Sequence, residues 1–249
     1  SRSPGRKQRR TDTSRLIDLG DIAELKGISI DGDGITIGAM TTQHELITNE
    51  ALSKAAPLIR EASLQIADPQ VRYLGTIGGN VANGDPANDM PGLMQTLDAT
   101  YHLTGPEGSR TIKARDFYEA AYFTAREDEE ILTAISFAKP SGGFAYEKQK
   151  RKIGDYATAA AGVLITIDGG TCTAASVALT NLSDTPVYCA GAVDALVGSS
   201  LDDVAIKAAV KAAVDESDPV ADTRGPVDCK KYVAGGIVKK AIISAVARA

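Results

Sequence analysis

The sequence predicts an α+β fold in two units, and three observations support this. Segments in which apolar and polar residues alternate stand beside segments that begin with helix-capping residues, so both strands and helices are expected. Residues 139–143 read KPSGG, a run of linker residues that separates two stretches of different composition. The 249 residues, 43% hydrophobic and 24% charged, suit one large or two ordinary soluble domains.

Residues 1–14 form a basic tail that we expect to be disordered. The first ten residues contain five basic residues and no acid, so the net charge of −5 leaves −10 on the rest of the chain. This acidic body argues against nucleic acid as a ligand. The sequence has no apolar run of the ~20 residues that span a bilayer and no secretory signal. We therefore expect no stable membrane insertion and a cytoplasmic protein, at most peripheral to the inner face of the membrane.

The first unit is predicted for residues 15–140. The run GISIDGDGITIGA (27–39) predicts a β-hairpin, because isoleucines alternate on both sides of a turn sequence. Thr42 and Glu45 have the spacing of a capping box at the start of a helix. A second helix is predicted for residues 53–66, with Pro57 tolerated in its first turn. Further strands are predicted at 99–105 and 130–137.

The second unit is predicted for residues 144–249. AAGVLITID and TCTAASVALT flank Gly169-Gly170 and predict an antiparallel pair with a buried apolar face. Ser200 and Asp203 are expected to open an alanine-rich helix that ends near residue 217. Another helix is expected from residue 232 to 249, although two glycines inside it cost about 1 kcal/mol each.

The run TIGGNVANGDPANDMP (76–91) is the first candidate binding site. Consecutive glycines let backbone N–H groups converge on an anion such as a diphosphate. Thr76 and Asn80 can add donors, whereas Asp85 and Asp89 repel phosphate and suit ribose or ribityl hydroxyls. The run is neither a GxGxxG fingerprint nor a P-loop. From the residues alone, a tight turn with helix caps explains it equally well.

The second candidate is YEKQKRKIGDYATAA (146–160), where Lys148 and three further basic residues lie between Tyr146 and Tyr156. A cation there would stabilise a reduced flavin ring or its diphosphate, and an aromatic ring could stack on the isoalloxazine. The alternative is a solvated charge run between two half-buried tyrosines.

Metal ligands are scarce in this sequence. His44 and His102 are the only histidines, and the three cysteines are far apart without a CxxC pair. We therefore expect no metal site, no iron–sulfur cluster and no disulfide framework in this chain. We also assign no catalytic residue. Any redox role then requires an organic cofactor.

Together these runs resemble the FAD-binding subunits of molybdenum hydroxylases. TIGGNVANGDPANDMP resembles the second flavin motif of that family, and IGAMTTQHEL and YEKQKRKIGDYATAAAGV also fit. IADPQVRYLGTIGGN, GPEGSR and YFTA are most similar to the medium (flavoprotein) subunits of the aerobic carbon monoxide dehydrogenase branch. The resemblance extends from residue 16 to 249.

The resemblance implies a vanillyl-alcohol-oxidase-like (PCMH-type) FAD-binding domain followed by a smaller α+β domain. It implies FAD in this chain, with molybdopterin in a large partner subunit and [2Fe–2S] clusters in a small one. Electrons would pass through the clusters to FAD and then to an external acceptor such as a quinone. The alternatives are the same role in a purine, nicotinate or aldehyde dehydrogenase, or a flavin-free assembly subunit.

The resemblance also implies individual cofactor-binding residues. The diphosphate loop would be Thr76, Ile77, Gly78, Gly79 and Asn80. The further positions would be Asn83, Asp85, Asp89, Ile131, Lys148 and Tyr156. Ile131 would be apolar and near the flavin, Lys148 close to the cofactor, and Tyr156 near the ring.

The sequence departs from the family pattern at its start. Members of the family have a first flavin motif, such as AGGHSLLP, before the LIDL segment, whereas residues 1–10 read SRSPGRKQRR. We therefore expect the first part of the FAD-binding domain to be missing, through truncation, a frameshift or genuine loss. The surface against which that part packs would then be exposed.

Overall fold

A computed structural model describes residues 17–249, and their fold is α+β, as predicted. The predicted disordered tail, residues 1–14, lies outside the described residues. The strands are β1 (Ile28–Asp31), β2 (Gly34–Gly38), β3 (Thr100–Gly105), β4 (Gly108–Lys113), β5 (Tyr118–Ala120), β6 (Phe123–Thr124), β7 (Ile131–Ala138), β8 (Gly143–Gln149), β9 (Ala159–Asp168), β10 (Thr171–Thr180) and β11 (Val187–Tyr188). The α-helices are α1 (Gln43–Thr48), α2 (Glu50–Ala55), α3 (Pro57–Ser63), α4 (Pro69–Leu74), α5 (Ile77–Ala82), α6 (Asp89–Thr96), α7 (Ala190–Leu196), α8 (Asp203–Asp215) and α9 (Val227–Val246).

The described residues form two larger antiparallel sheets and a two-stranded one, β5-β6. The first larger sheet has the strand order β1-β2-β7-β3-β4, and the second has the order β11-β10-β9-β8. Each of the larger sheets has its own cluster of buried side chains. None of the helices in residues 17–249 has the length and apolar character that crossing a bilayer requires.

The predicted hairpin and capping box are confirmed. Ile30 pairs with Ile35 across β1 and β2, and Ile35 and Ile37 are fully buried. The backbone N–H of Glu45 donates to Thr42 Oγ1 at 3.2 Å, while Thr42 N–H donates to Glu45 Oε2 at 2.7 Å. This reciprocal pair satisfies two donors that the start of α1 would otherwise leave free.

The single helix predicted for residues 53–66 is wrong, because the chain forms α2 and α3 with a break at Ala56. Proline lacks an N–H and disfavours helical geometry in the residue before it. Ala56 accordingly has φ −144° and ψ 70°, and Pro57 becomes the first residue of α3. Pro57 therefore starts a helix instead of being tolerated inside one.

Residues 68–91, which are rich in glycine, asparagine and proline, contain the short helices α4 and α5 and the start of α6. Asp68 caps α4 by accepting from Val71 N–H at 3.0 Å, and Thr76 caps α5. The turn-forming residues therefore mark helix boundaries rather than one continuous loop. The helix caps considered for residues 76–91 are therefore present, as the Thr76 cap of α5 shows.

The second sheet confirms the pairing of β9 with β10 across Gly169-Gly170, both at positive φ. Helices α8 and α9 exist as predicted, with different starts. Asp202 caps α8 in place of Ser200, accepting from two backbone amides. Helix α9 begins at Val227, five residues before the predicted start.

Helix α6 lies where the two sheets meet, and all eight of its residues are buried. It packs against β9 and β10 on one side and against α5 and α3 on the other. Ser176 Oγ donates to the Thr96 carbonyl at 2.7 Å, which ties the end of α6 to β10. Elements from both units therefore reach the start of α6.

Candidate cofactor site

The glycine pair lies in the first turn of α5, and the nearby amides are already bonded within the protein. Ile77 N–H donates to the Thr41 carbonyl at 2.9 Å, and Gly78 N–H donates to the Ala39 carbonyl at 2.8 Å. Gly79 N–H donates to Thr76 Oγ1 at 3.1 Å. These three amides therefore do not form the expected nest of free N–H donors. What α5 offers to a ligand is its outer surface.

One side of α5 is packed tightly against the residues after β2. Ile77, Gly78 and Val81 are buried. A Cβ on Gly78 would lie 2.5 Å from Ala39 Cβ and 2.6 Å from the Ala39 carbonyl oxygen. Glycine is therefore required at position 78 for close packing.

The opposite side of α5 is open. Thr76, Gly79, Asn80 and Asn83 follow one another at spacings of three, one and three residues, which places them on one side of a helix. Gly79 and Asn83 are exposed, and Thr76 and Asn80 are partly exposed. We call these four residues the open face of α5. It presents a hydroxyl group, two carboxamides and a stretch of backbone without a side chain.

Asn80 connects the open face to the start of α6. Its Oδ1 accepts from Met90 N–H at 3.2 Å, and its carbonyl accepts from Asn88 Nδ2 at 2.9 Å. The Asn80 NH₂ group has no partner among residues 17–249 and remains a donor. Asp85 instead closes a local turn by accepting from Ala87 N–H at 2.9 Å.

Asp89, the first residue of α6, lies between Asn88 and Met90, which both contact Asn80, and its carboxylate is buried. It accepts from the Tyr146 hydroxyl at 2.6 Å and from Lys148 Nζ at 2.7 Å. The Lys148 side chain is 1% exposed. Burial raises the pKa of Asp89 above its usual value, against the opposing effect of the Lys148 ammonium. We call Asp89, Tyr146 and Lys148 the buried triad.

The strand β8 explains how the buried triad forms. Tyr146 and Lys148 are two residues apart, so their side chains leave the same face of the strand. Burial first, and then the neighbouring carboxylate, raise the Tyr146 pKa well above its usual value, so its hydroxyl stays protonated. Tyr146 is buried and donates to Asp89, so it cannot stack on a ligand ring as we considered. The alternation in YEK was a signal that Tyr146 and Lys148 share a face, but it did not indicate their partner Asp89.

Two further predicted residues, Ile131 and Tyr156, belong neither to the open face of α5 nor to the buried triad. Ile131 is the first residue of β7, the strand that α5 packs against, and it is 41% exposed. Tyr156 follows β8 in a loop and is 48% exposed. The Arg224 guanidinium lies 5.7 Å from its ring centroid. Nothing in the sequence around residue 224 indicated this contact.

Apolar side chains flank α5 at both ends. Val71, Tyr73 and Leu74 of α4 are exposed just before it. Tyr122 and Phe123 are exposed near the other end of α5 in space. The Tyr122 N–H donates there to the carbonyl of Gly84, which follows α5, at 2.7 Å. An exposed apolar surface around a polar helix face suits a ligand with both aromatic and polar parts.

Within the described part of the chain, no three histidine, cysteine or acidic side chains converge as a metal site. Cys172, Cys189 and Cys229 are free thiols. Burial raises the pKa of Cys172 and Cys189, which keeps both protonated and inert.

Comparison with known families gives two matches. Residues 3–140 match the family described as "FAD binding domain in molybdopterin dehydrogenase", and residues 144–245 match "CO dehydrogenase flavoprotein C-terminal domain".

The chain is similar to carbon monoxide dehydrogenase medium chains. Identity is 53% with the chain from Afipia carboxidovorans, over 99% of this chain and 86% of that one. It is 41% with the chain from Hydrogenophaga pseudoflava, over 98% and 86%. A glyceraldehyde dehydrogenase medium chain from Sulfolobus acidocaldarius is 31% identical over 91% and 81%.

Solved structures agree with these sequence similarities. A reconstituted CO dehydrogenase from Oligotropha carboxidovorans superposes with a TM-score of 0.90 at 54% identity, covering 91% of this chain and 80% of that one. A quinoline 2-oxidoreductase from Pseudomonas putida 86 gives a TM-score of 0.88 at 31% identity, over 92% and 81%.

Proposed function

Because this chain belongs to the family of FAD-binding medium subunits of molybdopterin dehydrogenases, we propose that it holds FAD against the open face of α5. It is a subunit of an oxidoreductase, and FAD is its cofactor. The observation that carries the placement is that four of the implied residues share one exposed helix face beside the buried triad.

The side chains fit the chemistry of a flavin dinucleotide. The Thr76 hydroxyl and the Asn80 and Asn83 carboxamides are donors that suit diphosphate and ribose oxygens. Gly79 has no side chain on the open face, so a ligand can approach the backbone. The exposed rings beside α5 suit the apolar parts of the cofactor.

The buried triad lies next to the open face of α5, because Asn80 bonds the residues on either side of Asp89. Asp89 has lone pairs beyond those used by Tyr146 and Lys148, so it can also accept from a sugar hydroxyl. Lys148 supplies a fixed positive charge that balances Asp89 and favours nearby phosphate. Ile77, Gly78 and Asp85 shape the backbone of the site, and Ile131 and Tyr156 would contact the ring system of bound FAD. Bound FAD supplies the redox chemistry, and the protein supplies position and electrostatics.

We further propose that the complex oxidises carbon monoxide at molybdopterin in a large partner subunit. Its electrons reach this subunit through [2Fe–2S] clusters in a small partner subunit and leave to an external acceptor such as a quinone. Two carbon monoxide dehydrogenase medium chains are 53% and 41% identical to this chain. A nicotine 6-hydroxylase medium subunit is only 28% identical.

We place the complex in the cytoplasm and the two domains at residues 15–140 and 144–249.

The test is to purify the complex with Gly79→Asp in this subunit and measure its FAD content. The new carboxylate lies on the open face and repels a diphosphate, so we expect FAD to fall below roughly a tenth of the normal content, a tenfold change for 1.4 kcal/mol. Asp in a first helical turn is compatible with folding. Gly236→Asp is the matched control, because Gly236 is an exposed helical glycine with open space around it, on α9.

Normal FAD in Gly236→Asp and loss in Gly79→Asp would support the placement. Equal FAD in both variants would contradict it. The substrate is tested separately by reduction of an artificial acceptor with carbon monoxide, nicotine or glyceraldehyde as the electron source. Reduction by another substrate and not by carbon monoxide would overturn the proposed substrate and leave the FAD placement intact.

A further inference from the structure

Two loops that are distant in sequence meet at Tyr156. One joins β8 to β9 (residues 150–158), and the other precedes α9 (residues 218–226). Arg151 Nη1 donates to the Thr223 carbonyl at 3.3 Å, and the Arg224 guanidinium lies 5.7 Å from the Tyr156 ring centroid. Arg151 also pairs with Asp155 at 3.1 Å, and Asp155 accepts from Tyr156 N–H at 2.9 Å. The residues around Tyr156 are therefore connected to the second loop by two arginines.

The second loop is anchored in the protein interior. Lys230, in the first turn of α9, is 1% exposed and donates to Asp222 Oδ2 at 2.9 Å. Asp222 Oδ1 accepts from Arg224 N–H at 2.7 Å, and Asp222 Oδ2 pairs with Arg224 Nη1 at 3.3 Å. Burial acts to raise the pKa of Asp222, but the bonds from Lys230 and Arg224 outweigh it, so the pKa is lowered. A buried cation thus fixes Asp222, and Asp222 fixes Arg224.

The first loop is anchored at its end, where Ala157 is fully buried and its carbonyl accepts from Asn181 Nδ2 at 2.6 Å. The residues before Tyr156 have fewer contacts outside the loop. Ile153 is 93% exposed, and the Arg151–Asp155 pair is internal to the loop. Gly154 approaches the Ala67 carbonyl, but it offers no side chain to hold. Asn181 and the burial of Ala157 therefore fix the backbone after Tyr156, whereas the half-exposed ring itself makes its contact with Arg224 of the second loop.

We propose that Arg224 is a positioning residue that holds the Tyr156 ring in place for the flavin. This inference rests on the proposed function, since it takes Tyr156 as a contact of the FAD ring system. Arg224 attracts the ring face through its charge, as guanidinium groups do within about 6 Å of a ring centroid. The Arg224 Nε atom is buried and has no hydrogen-bond partner in the described residues. A hydrogen bond from Nε therefore does not account for the orientation of the guanidinium group.

The first test follows backbone hydrogen exchange of residues 150–158 in the subunit without FAD. Arg224→Met keeps the length of the side chain and removes its charge, and we expect exchange in this segment to rise roughly 2- to 5-fold, the size of a partly exposed cation–π contact. The matched control is Arg115→Met, because Arg115 also lies over a tyrosine, 3.5 Å from the Tyr188 ring centroid. Unchanged exchange in Arg224→Met, or the same rise in Arg115→Met, would overturn the positioning role.

The second test is a double-mutant cycle on FAD affinity in the assembled complex, with Arg224→Met, Tyr156→Ala and both together. If Arg224 acts through Tyr156, its substitution weakens FAD binding severalfold in the normal chain and has no further effect when Tyr156 is alanine. Flavin fluorescence is a second readout, because a stacked tyrosine quenches it. Arg224→Met should therefore brighten bound FAD, and Arg224→Lys should restore most of the quenching.

The outcomes separate this inference from the proposed function. Additive effects of the two substitutions would overturn the action of Arg224 through Tyr156, while FAD binding to α5 would stand. Unchanged FAD affinity and fluorescence in Tyr156→Ala would overturn the placement of Tyr156 at the flavin, and the positioning role with it. Loss of FAD only in Gly79→Asp would still support the open face of α5.

Discussion

The open face of α5 and Asp89 of the buried triad come from the same sixteen residues, 76–91, yet they differ in how their polar groups are satisfied. On the open face, the Asn80 NH₂ group has no partner among the described residues, and Gly79 leaves the backbone uncovered. In the buried triad, both oxygens of Asp89 accept bonds from side chains of β8. One motif therefore contains both a ligand-binding surface and Asp89, the carboxylate that bonds the start of α6 to β8.

This difference predicts that binding and stability can be separated by substitution. Changes at Gly79 and Asn83 of the open face should reduce FAD affinity and leave the free energy of unfolding nearly unchanged, because Gly79 has no side chain and the Asn83 side chain has no hydrogen-bond partner among the described residues. Thr76 and Asn80 differ, because Thr76 caps α5 and Asn80 bonds Met90. Changes in the buried triad should reduce both, since a buried charge without its partner is costly. A protein in which both regions affected stability equally would contradict this division.

The largest expected effect is that of Asp89→Ala. It removes both oxygens that bond the Tyr146 hydroxyl and the Lys148 ammonium, which a protonated carboxyl group would keep. The buried Lys148 ammonium then lacks this acceptor, and we expect a loss of about 3–5 kcal/mol in the free energy of unfolding. Urea unfolding measures it. Asp215→Ala is the control, because its pair with Lys211 is exposed and contributes about 0–0.5 kcal/mol.

The double variant Asp89→Leu with Lys148→Met sharpens the interpretation. Replacing a buried ion pair by apolar residues of similar volume is often close to neutral. We therefore expect the double variant to recover most of the stability lost in Asp89→Ala. If the double variant is as unstable as the single one, packing and not the unpaired charge is responsible.

Local signals in the sequence predicted local structure well. The isoleucine alternation gave the hairpin, and Thr42 with Glu45 gave the capping box. The motif also led to the α5 region, but its division into two sides was not predictable while the segment was read as an anion-binding nest or a tight turn. Only helical geometry places Gly78 inward and Gly79 outward.

Contacts between distant residues were beyond the sequence. Asp89 meets Tyr146 and Lys148 across 57 and 59 residues, and Arg224 reaches Tyr156 from another loop. Such pairs depend on how α6, β8 and α9 pack, which periodicity and spacing do not specify. The split between α2 and α3 was missed for a simpler reason, because Pro57 was accepted inside a helix although it restricts Ala56.

The second-largest expected effect, after that of Asp89→Ala, is a difference in stability between substitutions at the neighbouring glycines 78 and 79. Gly78→Ala introduces a Cβ 2.5 Å from Ala39 Cβ, and such overpacking costs about 1–3 kcal/mol. Gly79→Ala meets only Thr76 Oγ1, at 3.0 Å. Alanine is the better helix former by about 1 kcal/mol, which offsets that approach.

Thermal unfolding and FAD titration of the two variants measure this contrast. We expect a lower Tm for Gly78→Ala, and for Gly79→Ala a nearly unchanged Tm with weaker FAD binding. The division of α5 into two sides would be contradicted if Gly79→Ala were the less stable of the two.

The smallest expected effect concerns pH and an ion pair outside the site, between Arg110 and Glu130. Arg110 Nε and Nη2 donate to the two carboxylate oxygens at 2.6 and 2.7 Å. The hydrogen bond from Arg110 lowers the pKa of Glu130 to about 2. Since this pKa lies below that of the unfolded chain, the stabilisation is present above the usual glutamate pKa. It is lost as the pH falls towards 2.

Asp89 should behave in the opposite direction, because burial raises its pKa. Protonation of Asp89 at low pH favours the folded state, whereas protonation of Glu130 disfavours it. We therefore expect Glu130→Gln to flatten the loss of stability between pH 5 and 3, and Asp89→Asn to steepen it. Urea midpoints measured across this range test both signs. If both substitutions flattened the profile, the carboxylate of Asp89 would be stabilised by Lys148 more strongly than burial destabilises it, and the two pairs would no longer differ in kind.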